Sequence, residues 1–166
     1  AIRGFHGVAL SVAGPEASEA ILSGLLGYER AGHETHGEAR TVRLVRPGVA
    51  AGVVDLEIDP AAPDGLEGAG TVHHVAFSVP DRAAQDVVRK AVADAGYRVT
   101  PAIDRDYFHA IYFRTPDGIL FEVATEEPGF ATDEPVEALG KALKVPSQHE
   151  HLRPRLEAAL PPLVTA

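Results

Sequence analysis

The chain has 166 residues, 45% hydrophobic and 23% charged, with a net charge of −9 and no cysteine. That length suits one compact domain, or two small repeated units over a shared core. Without cysteine there are no disulfides, thiolate metal sites or Cys nucleophiles; the acidity argues against nucleic acid or anionic membrane as partner; and the lack of an apolar run near ~20 residues or a signal-peptide core points to the cytoplasm.

The first element is "FHGVALSV" (5–12), an alternating strand. It leads into "AGPEASEAILSGLLGY" (13–28), whose Ala20, Leu22, Leu25 and Leu26 share one side of a half-buried helix, with Gly27 suited to the left-handed position after it. Three strands are predicted next, over 28–33, 39–46 and 52–58, with a turn at Pro47-Gly48. The segment "DPAAPDGLEGAG" (59–70) is a linker.

The pattern then returns 67 residues on (72 − 5), as "VHHVAFSV" (72–79). A second helix is predicted over 80–97, with Val87, Val88, Ala91, Val92 and Ala95 inward and Gly96 at its end. Strands follow over 97–102, 107–114 and 119–125, the last two joined by a "TPDG" hairpin loop (115–118). Two short helices, 132–143 and 149–160, complete a tail. The expectation is an α+β fold of two βαβββ modules, 1–58 and 71–126, with a helical tail over 127–166.

Period-2 alternation assigns the faces. His74, Ala76 and Ser78 share a small, polar face that leaves room above the imidazole, while His73, Val75, Phe77 and Val79 share the bulky one. In "GILFEVAT" (118–125), Glu122 lies between Phe121 and Val123, and a carboxylate in a core strand is costly unless paired or bound to a metal. Two such strands meeting across a concave sheet would bring His74 and Glu122 together. His33 and His36 fall in a polar loop, His109 on the face opposite Tyr112, and His149 and His151 in the tail; these are expected to be solvated or capping residues.

The double repeat, opened in its second copy by "HHVAFSVPD" and closed by "DGILFEVAT", resembles the vicinal oxygen chelate superfamily of glyoxalases, extradiol dioxygenases and drug-sequestering resistance proteins. More narrowly, "DRDYFHAIYFRTPDGILFEVATEEPGFATDEPVEALG" (104–140) and "LEAALPPL" (156–163) resemble the C-terminal half of hydroquinone-type ring-cleaving dioxygenases. That resemblance implies Fe(II), ahead of Mn(II) or Zn(II), in a site of two histidines and one carboxylate. His74 and Glu122 are the matching metal ligands, and His73, Arg105 and Tyr112 match the groups that handle protons and substrate. It implies a small aromatic substrate and O2 as partners. A non-catalytic ligand-binding protein and a glyoxalase-type isomerase on Zn or Ni are the alternatives.

The first copy departs from this pattern. Gly7 stands where the second copy has His74, Asp55 where it has Glu122, and His6 matches His73. Copy one is therefore expected to lack a metal site. The remaining imidazole is expected from a missing N-terminal half or another protomer, and the exposed rim favours a homo-oligomer.

Overall fold

A computed structural model of the chain describes residues 4–36, 39–61 and 65–161. Its strands form two sheets. In the first, β1 (Gly7–Val12), β2 (Glu29–His36), β3 (Ala39–Val45) and β4 (Val53–Ile58) take the order β1-β4-β3-β2, with β1 parallel to β4 and the other pairs antiparallel. In the second, β5 (Val75–Val79), β6 (Ile103–Asp104), β7 (Phe108–Arg114) and β8 (Leu120–Pro128) repeat that layout as β5-β8-β7-β6. Helix α1 (Glu16–Leu26) follows β1, α2 (Arg82–Asp94) follows β5, and a short α3 (Arg153–Ala159) lies in the tail. This is the expected α+β architecture.

One face of each sheet is buried because alternate residues are apolar. Leu10, Val12, Val42, Leu44, Val54, Leu56 and Ile58 fill the core from the first sheet, and Phe77, Val79, Ile111, Phe113, Phe121 and Val123 from the second. These residues form one continuous cluster, joined where Tyr28 meets Phe77 edge-on at 5.9 Å. A polar tie crosses the same boundary: the buried Ser18 hydroxyl donates to Asp117 Oδ2 at 2.8 Å.

Both predicted helices form, with Gly27 at φ 72° and Gly96 at φ 89° after them. Their inward faces differ from expectation. Ile21 and Ser18 are buried in place of Ala20, and Gln85 in place of Val87, which is 71% exposed. The start of α2 is fixed by Asp81, whose carboxylate accepts from Ala84 N at 2.8 Å, and the helix phase follows from that cap.

Three elements need correction. The strand predicted over 97–102 is reduced to a bridge between Val99 and Phe113, and the edge strand β6 forms later, at Ile103–Asp104. Pro101 has no N–H to offer a ladder, so Thr100 ties to β7 in another way: its N donates to Tyr112 O and its hydroxyl accepts from Tyr112 N. The helix predicted over 132–143 is two separate 3-10 turns, Phe130–Thr132 and Val136–Ala138, ended by an extended Leu139 and by Gly140 at φ 76°. Val136 and Leu139 remain exposed, so the segment lacks the packing that would stabilise a longer helix. Finally, His33 and His36 fall within β2 rather than in a loop.

Candidate active site

The site lies on the second sheet, on the face turned away from α2. β8 runs between β5 and β7, and register sets Glu122 beside Ala76 on one side and Tyr112 on the other. Ala76 is small, so nothing from β5 fills the space next to the carboxylate. Glu122 is only 3% exposed. His74 sits one residue before β5 and turns over this gap, its Nε2 2.8 Å from Glu122 Oε2.

His73 also precedes the strand, which frees it from strict alternation. Its Nδ1 lies 2.9 Å from His74 Nδ1, with the rings nearly perpendicular at 86°. Only one of these two nitrogens can carry the shared proton. When His74 Nδ1 carries it, His74 Nε2 presents a lone pair towards Glu122, and His73 fixes that tautomer from behind. Metal-bound histidines commonly have such a partner.

Tyr112 completes the face. Its ring lies 6.1 Å from the His74 ring, and the Arg105 guanidinium carbon is 5.8 Å from the Tyr112 ring centroid. Burial raises the Tyr112 phenol above its ordinary value; Glu122 adds to the rise and Arg105 opposes it. The phenol is therefore a proton-bearing group at neutral pH. The structure thus brings His73, His74, Arg105, Tyr112 and Glu122 together. Ser78, expected to line the cavity, is exposed and donates to Glu126 at 3.0 Å.

A buried residue absent from the sequence reading holds the two strands behind the site. Gln85 Nε2 donates to Val123 O at 2.8 Å and to His109 O at 2.7 Å. Those carbonyls belong to the neighbour of Glu122 on β8 and to the irregularity in β7 between Phe108 and Ala110. A glutamine within a run of valines and alanines on one helix was the available signal.

The donor chemistry fits a divalent cation in part. Two cis donors about 2.1 Å from one ion lie about 3 Å apart, close to the 2.8 Å between His74 Nε2 and Glu122 Oε2. Among the described residues no group of three or more His, Asp or Glu side chains could hold a metal, so His74 and Glu122 stand as a two-donor pair.

The equivalent place on the first sheet is closed. A Cβ on Gly7 would lie 2.4 Å from Val53 O, so a side chain there would displace backbone. Asp55 is engaged by Arg43, which reaches it through Nε at 2.8 Å and Nη2 at 2.7 Å. Arg43 stands opposite Asp55 as Tyr112 stands opposite Glu122. The constant offset of 67 hid this, because it pairs Tyr112 with Val45 (112 − 67); the loop after β3 is longer than its counterpart. The hydrogen bonds from Arg43 hold the Asp55 carboxyl below the ordinary carboxylate range, and His6 adds to this.

Comparison with known proteins identifies the family and the fold. Residues 4–123 match the family described as Glyoxalase/Bleomycin resistance protein/Dioxygenase superfamily. The chain is 42% identical over 162 residues to the Bacillus subtilis (strain 168) protein named "Putative ring-cleaving dioxygenase MhqO", covering 98% of this chain and 50% of that protein. It is 41% identical over 112 residues to the chlorohydroquinone/hydroquinone 1,2-dioxygenase of Sphingobium indicum, covering 66% of this chain and 35% of that protein. A crystal structure from Bacillus subtilis subsp. subtilis str. 168, titled a "putative dioxygenase", superposes with a TM-score of 0.89 at 41% identity over 99% of this chain and 51% of that one. The chain spans about half the length of the curated relatives it matches. This chain belongs to the glyoxalase/bleomycin resistance/dioxygenase superfamily, the vicinal oxygen chelate fold.

Proposed function

We propose that the chain is the metal-bearing part of an extradiol-type dioxygenase that cleaves hydroquinone- or catechol-type rings with O2. The observation that carries this reading is the buried Glu122 carboxylate facing His74 Nε2 on an open sheet face that also holds a proton-bearing phenol and a guanidinium. The dioxygenase names of its relatives support it.

His74 and Glu122 would hold Fe(II), with Mn(II) or Zn(II) as alternatives, and the remaining imidazole comes from the other half of the protein or another protomer. The bound ion would supply Lewis acidity to a phenolic substrate and redox chemistry with O2. The protein groups do the rest. His73 Nδ1 accepts the hydrogen bond from His74 Nδ1–H, so its own Nε2 carries a proton and donates a hydrogen bond to a substrate oxygen. Tyr112, held protonated, donates from its hydroxyl to an anionic substrate oxygen. The Arg105 guanidinium steadies that anion.

The test is metal content of the complete protein, with both halves present. His74→Ala and Glu122→Ala are each expected to abolish metal retention, while His6→Ala leaves stoichiometry unchanged. Retention of a full complement of metal after loss of His74 would overturn the assignment.

A further inference from the structure

Arg105 lies on a turn whose shape is imposed from outside its own sheet. The turn joins β6 to β7 and is closed by three local bonds: Asp106 N donates to Asp104 Oδ1 at 2.8 Å, Tyr107 N to Arg105 O at 2.8 Å, and Arg105 N to Phe108 O at 2.9 Å. The bond from Tyr107 to Arg105 spans three residues centred on Asp106, whose φ is 65°. A three-residue turn with positive φ at a residue bearing a side chain is rare and strained, so it persists only when its surroundings hold it.

The tail does this at two points. Ser147 donates to the Asp106 carboxylate through its N, at 3.2 and 3.3 Å to the two oxygens, and through its hydroxyl at 2.5 Å. Tyr107 donates from its hydroxyl to Asp133 Oδ2 at 3.1 Å and stacks on Phe130 at 5.2 Å, and its carbonyl accepts from Gly129 N at 2.9 Å. Asp133 is held in turn by Lys144, 3.3 Å away. Both residues that follow Arg105 are thus gripped by segments more than 20 positions downstream, while the Arg105 side chain projects over Tyr112.

We propose that the C-terminal tail is a positioning device for the candidate site: Ser147, by holding Asp106, fixes the turn that aims Arg105 at Tyr112. The role given to Arg105 rests on the function proposed above; the clamp rests on the hydrogen bonds alone. Asp106 and Ser147 act through Arg105 and are positioning residues. The strained turn gives the arrangement its sensitivity, because without Ser147 nothing from the tail holds the Asp106 side chain itself, and the local bonds and the grip on Tyr107 must keep Asp106 at positive φ.

The experiment is NMR on the whole chain without metal, reading through-space cross-peaks between the Arg105 side chain and the Tyr112 ring. The contact between Tyr97 and Phe113, at 6.2 Å in the same module, serves as an internal control. Ser147→Ala and Asp106→Ala are expected to remove the Arg105–Tyr112 cross-peaks and leave the control intact, and Ser147→Thr to keep both. Unchanged Arg105–Tyr112 cross-peaks in Ser147→Ala would overturn the proposal, as would a parallel loss of the control, which marks general loosening. Should Asp106→Ala fail to fold, Ser147→Ala decides alone. Because the chain is metal-free here, a failure of metal binding or ring cleavage in the complete protein would sink the functional reading and leave the clamp standing.

Discussion

Glu122 and Asp55 are the same residue position in two copies of one module, and their neighbours give them opposite uses. Glu122 faces an imidazole and a phenol, and Asp55 is locked in a two-point bond with Arg43. The second arrangement is structural and has a pH signature. Since the folded Asp55 carboxyl is depressed, it stabilises the fold above the ordinary carboxylate range and loses that contribution as pH falls through its folded value. Asp55→Asn is therefore expected to lower the thermal midpoint at neutral pH, with the gap to the parent closing in acid; a constant gap across a pH series would contradict this. Tyr112 makes the complementary case. It is proposed to move a proton and not to bind metal, so Tyr112→Phe in the complete protein should keep its metal and lose turnover by roughly 10²–10⁴-fold. A loss below about tenfold in steady-state kinetics would reduce Tyr112 to a packing residue. His74 and Glu122 were legible because alternation places each among small or apolar neighbours. Arg43 was not, since its partner depends on a loop length that a fixed repeat offset conceals.

At the scale of elements, the repeat, the helix ends and the hairpin turns were all readable, because Gly27, Gly96 and "TPDG" act locally. What escaped was decided by tertiary contact. The 97–102 segment pairs through a threonine side chain because Pro101 interrupts the ladder, and 132–143 stays in short turns because Val136 and Leu139 are left exposed. The face of α2 also escaped, and Gln85 is the reason it matters. Its amide satisfies two carbonyls behind Glu122 and Tyr112. Gln85→Leu keeps the volume but removes both donors, and an unsatisfied buried carbonyl costs about 1–3 kcal/mol. Urea denaturation should show a loss of roughly 2 kcal/mol or more. A loss below about 0.5 kcal/mol, within the range of ordinary surface changes, would mean that water or a rearranged β7 replaces the amide.

For the whole molecule, the deciding contrast is that His74 and Glu122 meet on the face of one sheet, while Gly7 and an Arg43-bound Asp55 occupy the matching positions of the other. Gly7 cannot accept a side chain without moving Val53, and Asp55 is already paired, so the first module cannot complete the site. Relatives twice as long offer room for the missing donor. Apolar side chains at the openings of both sheets, Phe5 at 89% and Val72 at 83% exposed, immediately precede the His6 and His73 positions, and covering such a rim stabilises an assembly. The shared core, in contrast, is closed by Tyr28, Phe77 and the Ser18–Asp117 tie and needs no partner. We therefore expect the 166-residue chain to fold cooperatively when expressed alone, yet to bind Fe(II) far more weakly than the complete protein. Loss of an outer-shell partner already weakens a metal site by about 10–100-fold, and loss of a ligand should exceed that. Anaerobic Fe(II) titration and O2 uptake with hydroquinone should both read near background, and adding the separately expressed other half should restore them together. Stoichiometric iron and ring cleavage by the isolated monomer would refute the two-half reading and direct the search for a third ligand to His6, His109 and the tail histidines.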